Sequence, residues 1–181
     1  MHSTLFKLVR DGGFSKELTF AFPKSAGLKS ETEGFILACQ DGVVNTLVYR
    51  RNVLKQAVNT TCRSCKTQPE TLMHILSACP FYAVTSYIER HNAALKVLYC
   101  HLRHAYGIDQ TPVLPYVLGE IESVVENSRC RIYWNYGFPT SRQLSANKPD
   151  MVLLDLQLKT LTVIEFSCPC DTNMDRKEIE K

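Results

Sequence analysis

Apolar and polar residues alternate along this chain with two different periods, and the change divides it. Up to Leu28 no period is sustained, and Gly12-Gly13, Pro23 and Gly27 mark an irregular arm over residues 1–28. Ser30-Glu31-Thr32-Glu33 has capping-box spacing and predicts a helix through Phe35, Ile36, Leu37 and Cys39 that stops at Asp41-Gly42. A second helix is predicted from Val43 to about Val58. Its apolar stripe is Val44, Leu47, Val48 and Leu54, and its other face carries Arg50, Arg51 and Lys55. Helical spacing returns after Pro80: Ile88, Leu95, Leu98 and Leu102 give a long helix over 81–106, ended by Gly107. Pro112 and Pro115 make Ile108–Gly119 a connecting segment, and Glu120–Asn127 reads as extended or as a short helical piece.

From Arg129 the period becomes that of strands. Arg129–Trp134 alternates, and a loop with Gly137-Phe138-Pro139 leads to Lys148. Met151–Leu154 and Leu161–Phe166, joined by a turn at Gln157–Thr160, are rich in β-branched and large apolar residues, as buried strands are. Strands therefore fall about within 129–167. The expected class is α+β: a helical N-terminal half, then a small mixed sheet.

Composition narrows this little. With 181 residues, 45% apolar and 22% charged, the chain has the make-up of an ordinary globular protein, and a net charge of +3 does not by itself imply a nucleic-acid partner. No apolar run approaches the roughly 20 residues of a membrane span, and no secretory leader is evident, so a reducing nuclear or cytoplasmic setting and no membrane partner are expected.

The eight cysteines are more informative. Cys62, Cys65, His74 and Cys79 form C-x2-C-x8-H-x4-C over residues 61–80, following the helical linker region 29–60. Three thiolates and one imidazole suit a closed tetrahedral zinc site that is structural because no coordination position stays open. Closing it requires the helix carrying His74 to end and bend back at Cys79. Arg63 within the knuckle adds to the basic residues available to nucleic acid. Cys39, Cys100 and Cys130, scattered singly, read as small buried hydrophobes.

The two last strands carry carboxylates that a core does not need. Folding the hairpin about Leu158 and Lys159 puts Asp150 opposite Ser167, and Asp150 diagonal to Glu165 at roughly 7–8 Å. Acids that close repel unless a cation lies between them, and oxygen-only ligands suit Mg²⁺ or Mn²⁺. Asp155, an odd number of residues from Asp150, falls on the other face of a regular strand and reads as a solvated strand end.

Taken in order, these features resemble the C-terminal region of site-specific non-LTR retrotransposon proteins of the restriction-like-endonuclease class. The resemblance rests on Cys62, Cys65, His74 and Cys79; on Arg90-His91-Asn92; on Lys148-Pro149-Asp150; and on Glu165-Phe166-Ser167-Cys168-Pro169 with Asp171. It covers about residues 30 to 181. It implies a nuclease of the PD-(D/E)xK superfamily over 81–181, incomplete at the C-terminus, that nicks target DNA to prime reverse transcription. Asp150 and Glu165 match the metal-binding carboxylates, and Arg90 and His91 enter as candidate catalytic residues. The superfamily lysine two residues after the second carboxylate is Ser167 here. A helix capped by Asp171 or Thr172 would offer Lys177 or Lys181 instead, with Arg176 beside them. Target DNA, with element RNA as a further candidate, is the implied partner, contacted by Arg50, Arg51, Lys55, Arg63 and Lys148. No reverse-transcriptase signature occurs in the chain. The competing readings are a zinc-dependent nucleic-acid-binding module without cleavage and an inactive truncated remnant.

Overall fold

The computed structural model describes residues 7, 9–12, 15–142, 147–169, 173–174 and 178–179. The chain divides into two compact units, Met1–Ala83 and Val84–Lys181.

Among the described residues, the first unit contains α-helices and the knuckle. Helix α1 spans Lys16–Ser25, α2 Ser30–Asp41 and α3 Leu47–Asn52. Helix α2 starts where the sequence places it, but without the capping box: Lys29 is the N-cap residue and no side chain caps the end. Its other end behaves as expected. Gly42 takes a left-handed φ of 69°, and the amides of Gly42 and Val43 bond to the carbonyls of Cys39 and Ala38 at 3.2 and 3.0 Å. This 5→2 and 6→1 pair satisfies carbonyls that the ending helix leaves open. Helix α3 is far shorter than the predicted Val43–Val58. The Thr46 hydroxyl accepts the Tyr49 amide at 3.2 Å and starts it late, and left-handed Lys55 (φ 55°) turns the chain away soon after Asn52. A four-residue helix, α4, spans Pro80–Ala83.

The second unit is helix α5, Ser86–Ala105, packed on a four-stranded sheet. The predicted long helix 81–106 is thus broken at Val84-Thr85. The strands are β1 Val124–Glu126, β2 Cys130–Trp134, β3 Met151–Asp155 and β4 Thr160–Ile164, in that spatial order. Every pairing is antiparallel, so the sheet is not the mixed one expected from sequence. Its order follows the chain, as in a meander. The ambiguous 120–127 segment supplies edge strand β1.

Strand β2 alternates strictly, with Cys130, Ile132 and Trp134 buried, and its partners on β3 are Asp155, Leu153 and Met151. These residues and Val125 face Leu95 and Tyr99 of α5, with Leu102 and Tyr106 flanking. The inward stripe is therefore 95, 99, 102 and 106. Leu98 and Ile88, expected on it, are 39% and 51% exposed. Tyr99 replaces Leu98 because its ring meets Trp134 edge-to-face at 5.3 Å while its hydroxyl accepts Arg103 Nη1 at 3.2 Å. Arg103 in turn holds Asp109 through two bonds of 2.8 and 2.7 Å, and Lys96 donates to the carbonyls of Leu118 and Gly119. Both ties fasten the Pro-containing connection to α5.

Asp155 corrects the sequence reading most sharply. It is 7% exposed, on the core side of the sheet opposite Cys130, and not a solvated strand end. Its Oδ1 accepts the amides of Gln157 and Leu158 at 2.9 and 2.8 Å, so it templates the β3–β4 turn. The Leu158 amide, ahead of the Gln157 amide and despite burial, holds this carboxyl below its ordinary range.

Candidate metal centre and carboxylate cleft

The knuckle is built by local chain geometry. Thr61 bridges Pro69, the Cys62 amide bonds Gln68 O at 2.8 Å, and the Glu70 amide bonds Thr60 O at 2.7 Å. Between them the chain turns back through Cys62-Arg63-Ser64-Cys65, with Lys66 in a left-handed conformation (φ 60°) and its amide on Cys62 O at 3.0 Å. His74–Ala78 then forms a π-helical turn and Cys79 leaves it extended, at φ −78° and ψ 117°. The five-residue step from His74 to Cys79 thus becomes one wide turn that aims both side chains the same way. That is the bend the spacing demanded.

One ligand atom from each of Cys62, Cys65, His74 and Cys79 lies within 4.8 Å of the others. Cys65 Sγ and His74 Nε2 are 3.3 Å apart, close to the edge of a tetrahedron with metal–ligand bonds of about 2.0–2.3 Å. Cys62, His74 and Cys79 are buried and Cys65 is half-buried. The hydroxyl of Thr67, 3.2 Å from Cys65 Sγ, and the Thr67 amide hold the Cys65 thiol down at about 5, whereas burial pushes the Cys79 thiol up. Three sulfurs and a nitrogen converging in a closed pocket fit a structural zinc ion, and these four residues could hold one. Among the described residues no other group of three or more such ligands converges.

Glu70, which nothing in the local pattern marks, stands behind this centre. It is 2% exposed and accepts four bonds: from Leu47 N at 3.1 Å, Arg63 N at 3.0 Å, Arg63 Nε at 2.9 Å and Arg63 Nη2 at 2.8 Å. Burial drives its carboxyl upward, but the Arg63 guanidinium and these amides outweigh it and leave it below the usual range. The knuckle is thereby tied to the first turn of α3. Arg63 spends its fork on this bond while its side chain remains 64% exposed. On α3 and beyond, Arg50 donates to Gln56, Arg51 to Asn52 and Thr60, and Lys55 to Asn52 O. Of the basic residues picked out from sequence, Arg50, Arg51, Lys55 and Arg63 therefore stand close along the chain, each tied to a local acceptor.

In the second unit the β3–β4 register pairs Met151 with Ile164. Carried one step further, it sets Asp150 across from Glu165, two residues earlier than the sequence reading, which placed Ser167 there. The reason is the turn: Asp155 closes it over Leu156–Lys159, so the hairpin pivots between Gln157 and Leu158. The paired ladder ends at Met151 and Ile164; beyond it Asp150 and Phe166 both turn to His91 of α5, while Glu165 is exposed. Both oxygens of Asp150 are engaged: Oδ1 lies 3.2 Å from His91 Nε2 on α5, and Oδ2 accepts the Phe166 amide at 2.7 Å. The Phe166 ring meets the His91 imidazole edge-to-face at 5.6 Å. Asp150 and His91 are half-buried and Glu165 is exposed. Arg90, on the same helix, stacks over Tyr87 at 5.1 Å and reaches the Cys168 carbonyl at 3.5 Å.

Thus Asp150, His91 and Phe166 are gathered into one place, with Arg90 and Lys148 near by in sequence. The Phe166 amide and the Tyr87 ring were not singled out from sequence; a main-chain donor leaves no side-chain signature. Lys177 and Lys181, with Asp171, Thr172 and Arg176, lie outside the described residues. Among the described residues no helix is long and apolar enough to cross a membrane. Compared with protein-family models, with curated proteins and with solved structures, the chain finds no match.

Proposed function

We propose that the chain is the metal-dependent endonuclease portion of a non-LTR retrotransposon protein, with a PD-(D/E)xK restriction-endonuclease-like core that nicks target DNA. One observation supports this reading: Asp150, at the open end of the β3–β4 hairpin whose second strand leads into Glu165, is held by His91 and the Phe166 amide. Two carboxylates form an oxygen-only donor set suited to Mg²⁺ or Mn²⁺, and an ion held there would supply water of lowered pKa and neutralise charge on a phosphate. His91 and the Phe166 amide restrict the rotation of Asp150, so its remaining lone pairs keep one direction. Arg90, with a guanidinium anchored over Tyr87, stands one residue from His91 to attract a phosphodiester. Lys177 or Lys181 would complete the site. The zinc knuckle and the basic residues Arg50, Arg51, Lys55 and Arg63 would bind DNA or the element's RNA, in a nuclear or cytoplasmic setting.

The decisive experiment is nicking of supercoiled plasmid with Mn²⁺. Asp150→Ala should reduce it by at least about a hundredfold, while Cys62→Ser should leave residual cleavage. A second reading has its own support, since the knuckle converges without help from any part of the nuclease. In that reading the chain is a zinc-dependent nucleic-acid-binding module. Salt-sensitive binding that is lost with chelation, unchanged in Asp150→Ala and unaccompanied by nicking would establish it.

A further inference from the structure

Beside Asp150 lies a cleft of about 460 Å³. Helix α5 lines it with Tyr87, His91 and Asn92, and the sheet side lines it with Asn135, Lys148 and Asp150. Its polar groups are unequally employed. Asp150 and His91 hold each other, but the carboxamides of Asn92 and Asn135 and the Lys148 ammonium have no hydrogen-bond or ion-pair partner among the described residues. Asn135 sits at the end of β2 with a left-handed φ of 45° while its amide still bonds Asp150 O at 3.0 Å. Asn tolerates that conformation better than most residues, and the turn it makes forms part of the cleft wall. Two idle carboxamides, an aromatic ring and a lysine are what a nucleobase with its phosphate requires: edge hydrogen bonds, a stacking surface and a counter-charge.

Size then selects the ligand. The volume falls within the range of small-molecule sites, about 300–1,000 Å³, and has room for a single nucleotide. A double helix cannot enter it. The geometry points to a pocket for one unpaired DNA nucleotide, its base against Tyr87 and paired by Asn92 and Asn135, its phosphate drawn by Lys148 toward Asp150. This rests on the nuclease reading for the role of Asp150 and adds a substrate preference to it: DNA with an extruded or single-stranded nucleotide over a fully paired duplex.

The test is a binding measurement on zinc-loaded protein without added Mg²⁺ or Mn²⁺. Duplexes that differ only by one unpaired thymidine, labelled with 2-aminopurine beside it, report on the base directly. The bulged duplex should bind at least about tenfold more tightly than the paired one, with a change in 2-aminopurine emission. Tyr87→Leu and Asn92→Ala should each remove most of that preference. Asn135→Gly, which keeps the left-handed backbone available, should do the same without disturbing the fold, as the emission of Trp134, the single tryptophan, would verify. Lys148→Ala should weaken both duplexes alike. Equal binding of paired and bulged DNA, or a preference that survives all three cleft variants, overturns the pocket. A ribonucleotide bulge that binds better than the deoxy one overturns the assignment to DNA. Nicking by Mn²⁺ on paired plasmid without any bulge preference would sink only this inference. Bulge preference without nicking would sink only the nuclease reading.

Discussion

The two units hold themselves together in opposite ways. In the first, the order around the knuckle comes from converging polar ligands: three thiols, an imidazole and the buried Glu70 with its four donors. Helix α2 buries no residue at all, and Phe35 on it is 59% exposed. In the second, an amphipathic helix covers a sheet, and eight buried side chains from Leu95 to Leu153 form one continuous apolar cluster. A chain segment that cannot bury enough apolar surface needs another source of stability, and a metal centre supplies it. The comparison teaches that loss of metal and loss of core packing should be separable injuries.

Metal withdrawal should have the largest effect. Chelation, or Cys62→Ser, is expected to abolish ordered structure around residues 60–79 while the sheet unit persists; amide spectra of β2 and β3 would show whether it does. Joint collapse of both units would break the contrast. Next comes Leu95→Ala, which opens a cavity in the apolar cluster and should cost about 2–5 kcal/mol. The thermal midpoint of the second unit should fall by roughly 10 °C or more, with the Co²⁺ absorption of a cobalt-substituted knuckle unaltered.

Two smaller changes sharpen the same contrast. The Asp155 carboxyl is depressed in the folded state, so its stabilisation is fully present above the unfolded carboxylate value and disappears as pH falls through the lower folded value. Asp155→Asn should therefore lower stability near neutrality and flatten the acid limb of the second unit's denaturation profile, as followed by Trp134 emission. An unchanged acid limb would mean that the turn does not depend on that charge. The smallest effects come from two lysines with left-handed backbones, Lys66 in the knuckle and Lys159 in the β3–β4 turn, at φ 60° and 54°. Glycine at either should stabilise by a few tenths to about 1 kcal/mol. The gain from Lys159→Gly should appear in the denaturant midpoint, that from Lys66→Gly in metal affinity.

Sequence spacing by itself determined a good deal here. The C-x2-C-x8-H-x4-C pattern named all four ligands that converge, because ligand chemistry is carried by residue type and the reach between ligands by short chain segments. The period of the apolar residues determined where the main helix and the last three strands lie, since helices and strands bury one face at fixed repeats. What the tertiary structure alone decided depends on partners distant along the chain. The spacing at 88, 95, 98 and 102 is equally helical on neighbouring faces, and only Trp134 opposite makes Tyr99 the buried residue in place of Leu98. The hairpin register shifted by two because Asp155, which looks like a solvated strand end in a linear reading, turns inward and captures two turn amides. With that shift the ladder ends at Met151 and Ile164, and just beyond it Asp150 meets His91, 59 positions earlier in the chain. Glu70 had no signal at all, for a buried carboxylate is tolerable only where its donors are, and those came from the Leu47 amide and a single arginine brought to it by the fold.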